Sequence, residues 1–296
     1  EAKRLHLTSR FDAHEPVTEV FADDIKWSEA LKLRLGSGWR AGKERPFTRP
    51  ALYRPFVTQV LFDSHLFIDR RGLVDQTFPR TSEQNVAIAM IGVSTPKPFA
   101  VLATRSICDL HLLGAGAGAS YFPIKRFDAH GSESVNITDW SLKQFTSHYK
   151  AGPGKRLPEP TKEGIFHYVY AVLHDPFYRE MYAQNLKREF PRIPLYGRLR
   201  ADFWRWAEWG RELMDLHIGY ETVEPWPLKR TDEADAKARA AGQSPKCILK
   251  SDPATGRIVI DSETRLDGMP AQAWTYRLGN RCAIDWVLDQ HKERKP

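Results

Sequence analysis

The sequence predicts a mixed α+β fold: β-rich in its N-terminal half, helical in the middle, and closed by a small β-hairpin and a C-terminal helix. Three observations carry this. Between Tyr53 and Leu113, short segments alternate apolar with polar residues and are rich in Val, Ile, Phe and Tyr, as half-buried strands are. From Thr161 to Leu216, apolar residues recur instead at helical spacing. Cys247 to Leu266 then returns to two short strands around the turn Asp252-Pro253-Ala254-Thr255-Gly256. On this pattern the 296 residues divide into a β-rich part, 1–130, and a part spanning 131–296 that holds the helices, the terminal hairpin and the last helix. A hydrophobic content of 42% with nine tryptophans is enough for a packed core.

In order, FADDIKWSEALKLRL reads as a short helix in a charged opening stretch that is not a signal peptide. Gly36 to Arg54 is a loop of Gly, Pro and base, with Arg40, Lys43, Arg45, Arg49 and Arg54 against Glu44. Asn85–Val93, Phe99–Thr104 and Leu110–Leu113 continue the strand pattern, broken by Pro96 and Pro98. The run Gly114-Ala115-Gly116-Ala117-Gly118-Ala119 is followed by the strand-like Ser120-Tyr121-Phe122, so a flexible connection fits it better than a dinucleotide loop, which needs a helix behind it. Asn136–Tyr149 is a helix capped by Thr138 or Asp139. Thr161 caps the next, whose Ile165, Val169, Val172 and Leu173 face a core. Asp175 and Pro176 open another helix, with Tyr178, Tyr182, Leu186 and Phe190 expected inward, until Pro191 and Pro194 stop it. Arg198–Leu216 follows with Phe203, Trp206, Ala207, Leu213 and Leu216 near one face. TDEADAKARAAGQSP reads as a mobile charged connector, and Ala283, Trp286 and Val287 as the inward face of the last helix.

The residues needed for catalysis are missing. A methyltransferase acting on adenine N6 needs a polar-Pro-Pro-aromatic loop and a glycine-rich donor loop, and neither occurs. Gly38-Trp39-Arg40-Ala41-Gly42-Lys43 falls short of a phosphate loop, with three residues between its glycines and Glu44 where Ser or Thr should hold magnesium. Asp24-Ile25-Lys26 ends like a nuclease motif but has no partner acid. The ten histidines show no metal-ligand spacing, and three scattered cysteines suit a reducing cytoplasm. No apolar run is long enough to cross a membrane.

What remains is charge. The net charge of +7 favours a polyanion. Between Arg179 and Arg211 stand eight basic residues, Lys187, Arg188 and Arg192 among them, against four acidic ones. The loop from Arg40 to Arg54 and the turn at Lys125 and Arg126 complete the candidate DNA-binding set. Arg45 and Arg49 are the expected base contacts, and Arg54 the expected phosphate or structural one. A tryptophan triad at 204, 206 and 209 could stack unpaired bases, but its helical spacing fits a core.

One stretch resembles a known family. YVYAVLHDPFYREMYAQNLKREFPRIPLY, from Tyr168, is similar to the C-terminal target-recognition domain of type ISP restriction-modification enzymes. YRPFVTQVLFD, SYFPIKRF, NITDWSLKQF, WGRELMDLHIGYE and YRLGNRCAIDWVLDQHKERKP agree and keep the family's order. The resemblance implies a non-catalytic piece of a longer cytoplasmic protein that recognises double-stranded DNA. It places nuclease, helicase-like ATPase and adenine-N6 methyltransferase parts elsewhere in that protein, where S-adenosylmethionine, ATP and Mg would bind, with no cofactor in this chain. The alternative is a scaffolding module that packs on the methyltransferase without reading bases.

Overall fold

The computed structural model describes residues 28–38, 47–68, 71–80, 85–153 and 157–293. The fold is α+β, with several small sheets. The chain forms two compact units, one of residues 1–51 and 59–74, the other of 52–58 and 75–296. The β-rich and helical stretches on either side of residue 130 both contribute to the second unit.

In the first unit, α1 (Glu29–Gly36) is capped by Ser28, whose Oγ accepts from the Leu31 amide at 3.2 Å. This is the C-terminal end of the helix expected in FADDIKWSEALKLRL; the rest of that stretch lies outside the described residues. Asp63 is fully buried and ion-paired to both Arg49, at 2.8 Å, and Arg71. β1 (Thr48–Arg54) and β2 (Val57–Phe62) each run from one unit into the other, joined through Pro55 and a positive-φ Phe56.

The second unit is built on the antiparallel sheet β4-β3-β6, with β3 (Ala87–Ile91) between β4 (Val101–Thr104) and β6 (Ala119–Pro123). All five residues of β3 are buried because both faces of the sheet are covered. Ile88, Val101 and Ala103 meet the helices, while Ala89, Ile91 and Leu102 pack on Leu52, Leu112 and Leu113. Leu110–Leu113, expected as a strand, is a turn; β5 (Ile107–Cys108) precedes it, and β7 (Lys125–Phe127) pairs with β8 (Glu133–Val135). A short helix, α2 (Val74–Thr77), also precedes the sheet.

Helix starts follow their caps. α3 (Asp139–His148) begins at Thr138, α4 (Lys162–His174) at Thr161 and α5 (Pro176–Met181) at Asp175; each side chain accepts from an amide two or three residues on. The single helix expected from Asp175 to Phe190 is instead two pieces, α5 and α6 (Asn185–Arg188). Only Tyr178 and Leu186 of its expected inward residues are buried; Tyr182 and Phe190 are 40% and 51% exposed. The first piece ends at its C-cap Tyr182, and Leu186 returns to the core on the separate turn α6.

α7 (Arg200–Ile218) crosses α4 at close range. A Cβ on Gly210 would lie 1.8 Å from the His167 carbonyl oxygen, so only glycine permits the contact. The buried face of α7 is Phe203, Ala207, Gly210, Met214 and His217; Leu216, expected inward, is 51% exposed. Between α6 and α7 the chain has no regular structure, and tyrosine hydroxyls satisfy its backbone. Tyr178 donates to the Arg192 carbonyl at 3.0 Å and Tyr168 to that of Pro194 at 2.8 Å, while Tyr168 also accepts from the Tyr196 amide at 2.7 Å.

The expected two-stranded terminal hairpin is a four-stranded antiparallel sheet, β10-β11-β12-β9, of β10 (Cys247–Asp252), β11 (Arg257–Asp261), β12 (Thr264–Asp267) and β9 (Lys229–Asp232). The presumed mobile connector supplies the end of β9 and the short helix α8 (Ala236–Ala240), anchored by Arg239 to the buried carboxylate of Glu263 at 2.5 Å. A small pair, β13 (Arg277–Leu278) and β14 (Arg281–Cys282), leads into α9 (Ala283–His291). There Trp286 and Leu288 are buried, with Ala283 and Val287 half-buried. No described helix is long and apolar enough to cross a membrane.

Candidate nucleic-acid interface

A cation holds a phosphate best when no internal carboxylate already neutralises it, so the pairing of each basic side chain decides what it can offer. Arg40, Lys43 and Arg45 lie outside the described residues. Arg49 sits on β1, half-buried and committed to Asp63, which makes it part of an internal ion-pair cluster. Removing one member of such a cluster would strand a buried charge. Arg54 binds Asp109 at 2.7 Å, donates to the Tyr53 carbonyl at 2.6 Å and lies over the Tyr53 ring at 4.1 Å.

β7 directs Lys125 to Glu133 at 3.0 Å across the β7–β8 hairpin, and Arg126 to the Gln76 side chain at 3.0 Å. Arg126 is exposed and forms no ion pair with a described residue. On the helical side, Arg192 pairs with Glu189 at 2.9 Å, Arg200 with Glu159 at 2.8 Å, and Arg211 with Glu208 and Asp215. Lys187, Arg188, Arg198 and Arg205 form no ion pair among the described residues. The eight-base cluster seen in the sequence therefore reduces to a few available cations, with Lys187 and Arg188 on the single turn α6.

The eighth, Arg179, is turned inward. Its Nε donates to the Leu173 carbonyl at 2.6 Å and its guanidinium lies 5.6 Å from the Phe99 ring centroid. Tyr170, His174 and His217 pack beside it: the Tyr170 hydroxyl accepts from the Ala103 amide at 2.8 Å and bonds His217 Nδ1 at 2.6 Å. Burial, reinforced by the Arg179 charge, pushes the His174 imidazole well below its usual range and that of His217 down to about 4. These histidines are neutral core groups. Among the described residues no three His, Cys, Asp or Glu side chains converge to hold a metal ion.

Lys97 stands in the loop between β3 and β4, and the sequence shows it only as a cation between Pro96 and Pro98. Its Cδ would lie 3.0 Å from a Cβ on Gly114, so its stem runs across the glycine-rich segment. That segment leads into β6, a strand, and has no helix behind it. The three tryptophans do not form a common platform. Trp204 donates to the Pro158 carbonyl at 3.0 Å, and Trp206 packs on Tyr196 at 4.8 Å between ring centroids; Trp209 is 51% exposed.

The family model for the Type ISP C-terminal specificity domain matches residues 6–296. Three solved structures cover the whole chain. A cryo-EM structure of a DrdV–DNA complex is 40% identical with a TM-score of 0.86. A nuclease-deletion mutant of the Type ISP restriction-modification enzyme LlaGI, in complex with a DNA substrate mimic, is 24% identical with a TM-score of 0.73. The ATP-dependent Type ISP restriction-modification enzyme LlaBIII bound to DNA is 19% identical with a TM-score of 0.79. At those identities the last two speak for the fold alone. The chain spans 29%, 26% and 19% of these three proteins respectively. No curated protein matches it.

Proposed function

Since the chain belongs to the family of Type ISP C-terminal specificity domains, we propose that it selects the duplex DNA sequence on which a restriction-modification enzyme acts. In this reading it positions the duplex for methyltransferase and nuclease parts carried elsewhere in a longer cytoplasmic protein. S-adenosylmethionine, ATP and Mg belong to those parts, and the methyltransferase and helicase-like domains are this chain's partners. The observation that carries the reading is the match over the full chain, at 40% identity, to a protein solved with DNA. Three free thiols, Cys108, Cys247 and Cys282, suit a reducing compartment.

Base reading falls to side chains that can donate in pairs to a base edge in the major groove. Arg49 is tied to Asp63 and is assigned a structural role; Arg40, Lys43 and Arg45 remain the candidates on that loop. Replacing these three with glutamine should lower affinity for a target duplex toward that for random DNA. Unchanged discrimination between the two duplexes would reject the assignment.

A second reading, a scaffold packing on a neighbouring domain, is favoured by one feature. Trp209 and Leu216 stand two helical turns apart on α7, each 51% exposed, forming an apolar stripe that a protein surface could cover.

A further inference from the structure

Loop 92–98, the turn at 114–118 and the helical turn α6 meet in the second unit, and Lys97, Lys187 and Arg188 form no ion pair among the described residues. The Ser94 amide donates to the Lys187 carbonyl at 2.8 Å, which fixes loop 92–98 to α6. The Gly92 amide donates to the Gly118 carbonyl at 2.6 Å, and a Cβ on Gly92 would come within 2.8 Å of that oxygen. Lys97 then lays its stem over Gly114. Loop 92–98 is thus clamped between α6 and the segment 114–118, with Ser94 held at φ 60, a conformation that non-glycine residues rarely adopt.

The turn itself presents backbone. The Ala117 amide bonds back to the Gly114 carbonyl at 3.2 Å, while the amides of Ala115 and Gly116 take part in no hydrogen bond among the described residues. Both residues are exposed, and Gly116, at φ 76, has nothing within 4 Å of the position a Cβ would take. Open amides on a glycine turn beside lysines suit an anion's oxygens.

We propose that this surface, comprising Lys97, the turn at Ala115 and Gly116, and Lys187 with Arg188, grips the sugar–phosphate backbone of the duplex. The proposal rests on the DNA-recognition reading above and adds a location and a chemistry to it. Lysine ammonium groups and peptide amides offer point charge and single donors, which match phosphate oxygens and carry little base information. Contacts here hold the duplex in register and leave selection to other residues.

The test is the triple variant Lys97→Gln, Lys187→Gln, Arg188→Gln, with Arg188→Gln alone as a milder companion. Binding to a target duplex and to a random one is measured across a salt series, after a melting curve shows each variant folded. Each phosphate contact contributes about 0.9 to the slope of log K against log salt, so the triple variant should flatten it by about two to three. Arg188→Gln alone should flatten it by about one, with both duplexes weakened alike. An unchanged slope in a folded variant overturns the proposal, as does a loss confined to the target duplex, which would mean base reading. A wild-type chain that ignores duplex DNA at every salt concentration but binds an acidic protein would instead overturn the DNA-recognition reading itself.

Discussion

Replacing Gly210 with alanine probes the contact on which the helical core depends. The added methyl would sit 1.8 Å from the His167 carbonyl oxygen, 2.7 Å from its carbon and 3.1 Å from the Ala171 amide nitrogen. A carbon and a carbonyl oxygen rest no closer than about 3.3 Å, so α4 and α7 must part by on the order of 1.5 Å. The neighbouring atoms are backbone and cannot rotate away. Overpacking of this kind costs about 1–3 kcal/mol, sometimes more, and alanine recovers about 1 kcal/mol through its better helix propensity. With backbone on both sides the cost lies at the upper end, giving a net loss of about 2–3 kcal/mol. In a domain of this size that lowers the melting temperature by about 5–10 °C, read by calorimetry or circular dichroism. Gly152→Ala is the control. Its Cβ would meet Leu199 Cδ1 at 3.4 Å, an ordinary contact, so it should stay within about 0.5 kcal/mol of wild type. A Gly210→Ala protein that melts with the wild type would refute the close crossing.

Asp175→Ala should cost about 1 kcal/mol, because Asp175 Oδ1 accepts from the Phe177 amide at 3.0 Å and caps α5, while Oδ2 takes the Tyr196 hydroxyl at 3.2 Å; an unchanged melt would show that neither bond matters. Acid should destabilise the fold through His174 and His217. Both are held neutral when folded, so the unfolded chain binds more protons as pH falls from about 6.5 to about 4, and stability drops through that window by up to about 3 kcal/mol for His217. A melting temperature flat between pH 7 and pH 4.5 would contradict this. The purified chain should be folded yet show neither methyl transfer nor ATP hydrolysis; turnover of either kind in a radiometric or phosphate-release assay would mean a catalytic centre has been overlooked.

Local chemistry was legible in the sequence where one residue decides one feature. Thr138, Thr161 and Asp175 announce their helices because a cap needs only an oxygen two or three residues from an orphan amide. Wherever distant partners decide, the pattern misled. Leu216 sits on the apolar side of α7 by spacing, yet the phase of that helix is set by Gly210 against α4, which turns Leu216 outward. The stretch from Thr231 to Pro245 looks mobile by composition, but β12 and Glu263 recruit its first part. The same holds for the candidate interface. Arg49 counted as an available base until Asp63, buried fourteen positions along the chain, claimed it. Lys97 drew no notice because its value lies in what surrounds it, a glycine turn and α6 drawn together by hydrogen bonds from Gly92 and Ser94.

Whether the chain itself selects a DNA sequence is tested most directly by selection from a random pool. The 296-residue chain is incubated with a pool of duplexes carrying a randomised core, and the bound fraction is recovered and sequenced over several rounds. One short sequence should rise from the pool, and its advantage over random DNA should persist as salt is raised, since base contacts are screened less than phosphate contacts. A pool that stays random after repeated selection, with the chain folded throughout, would contradict sequence selection by the chain and leave the scaffolding role in its place.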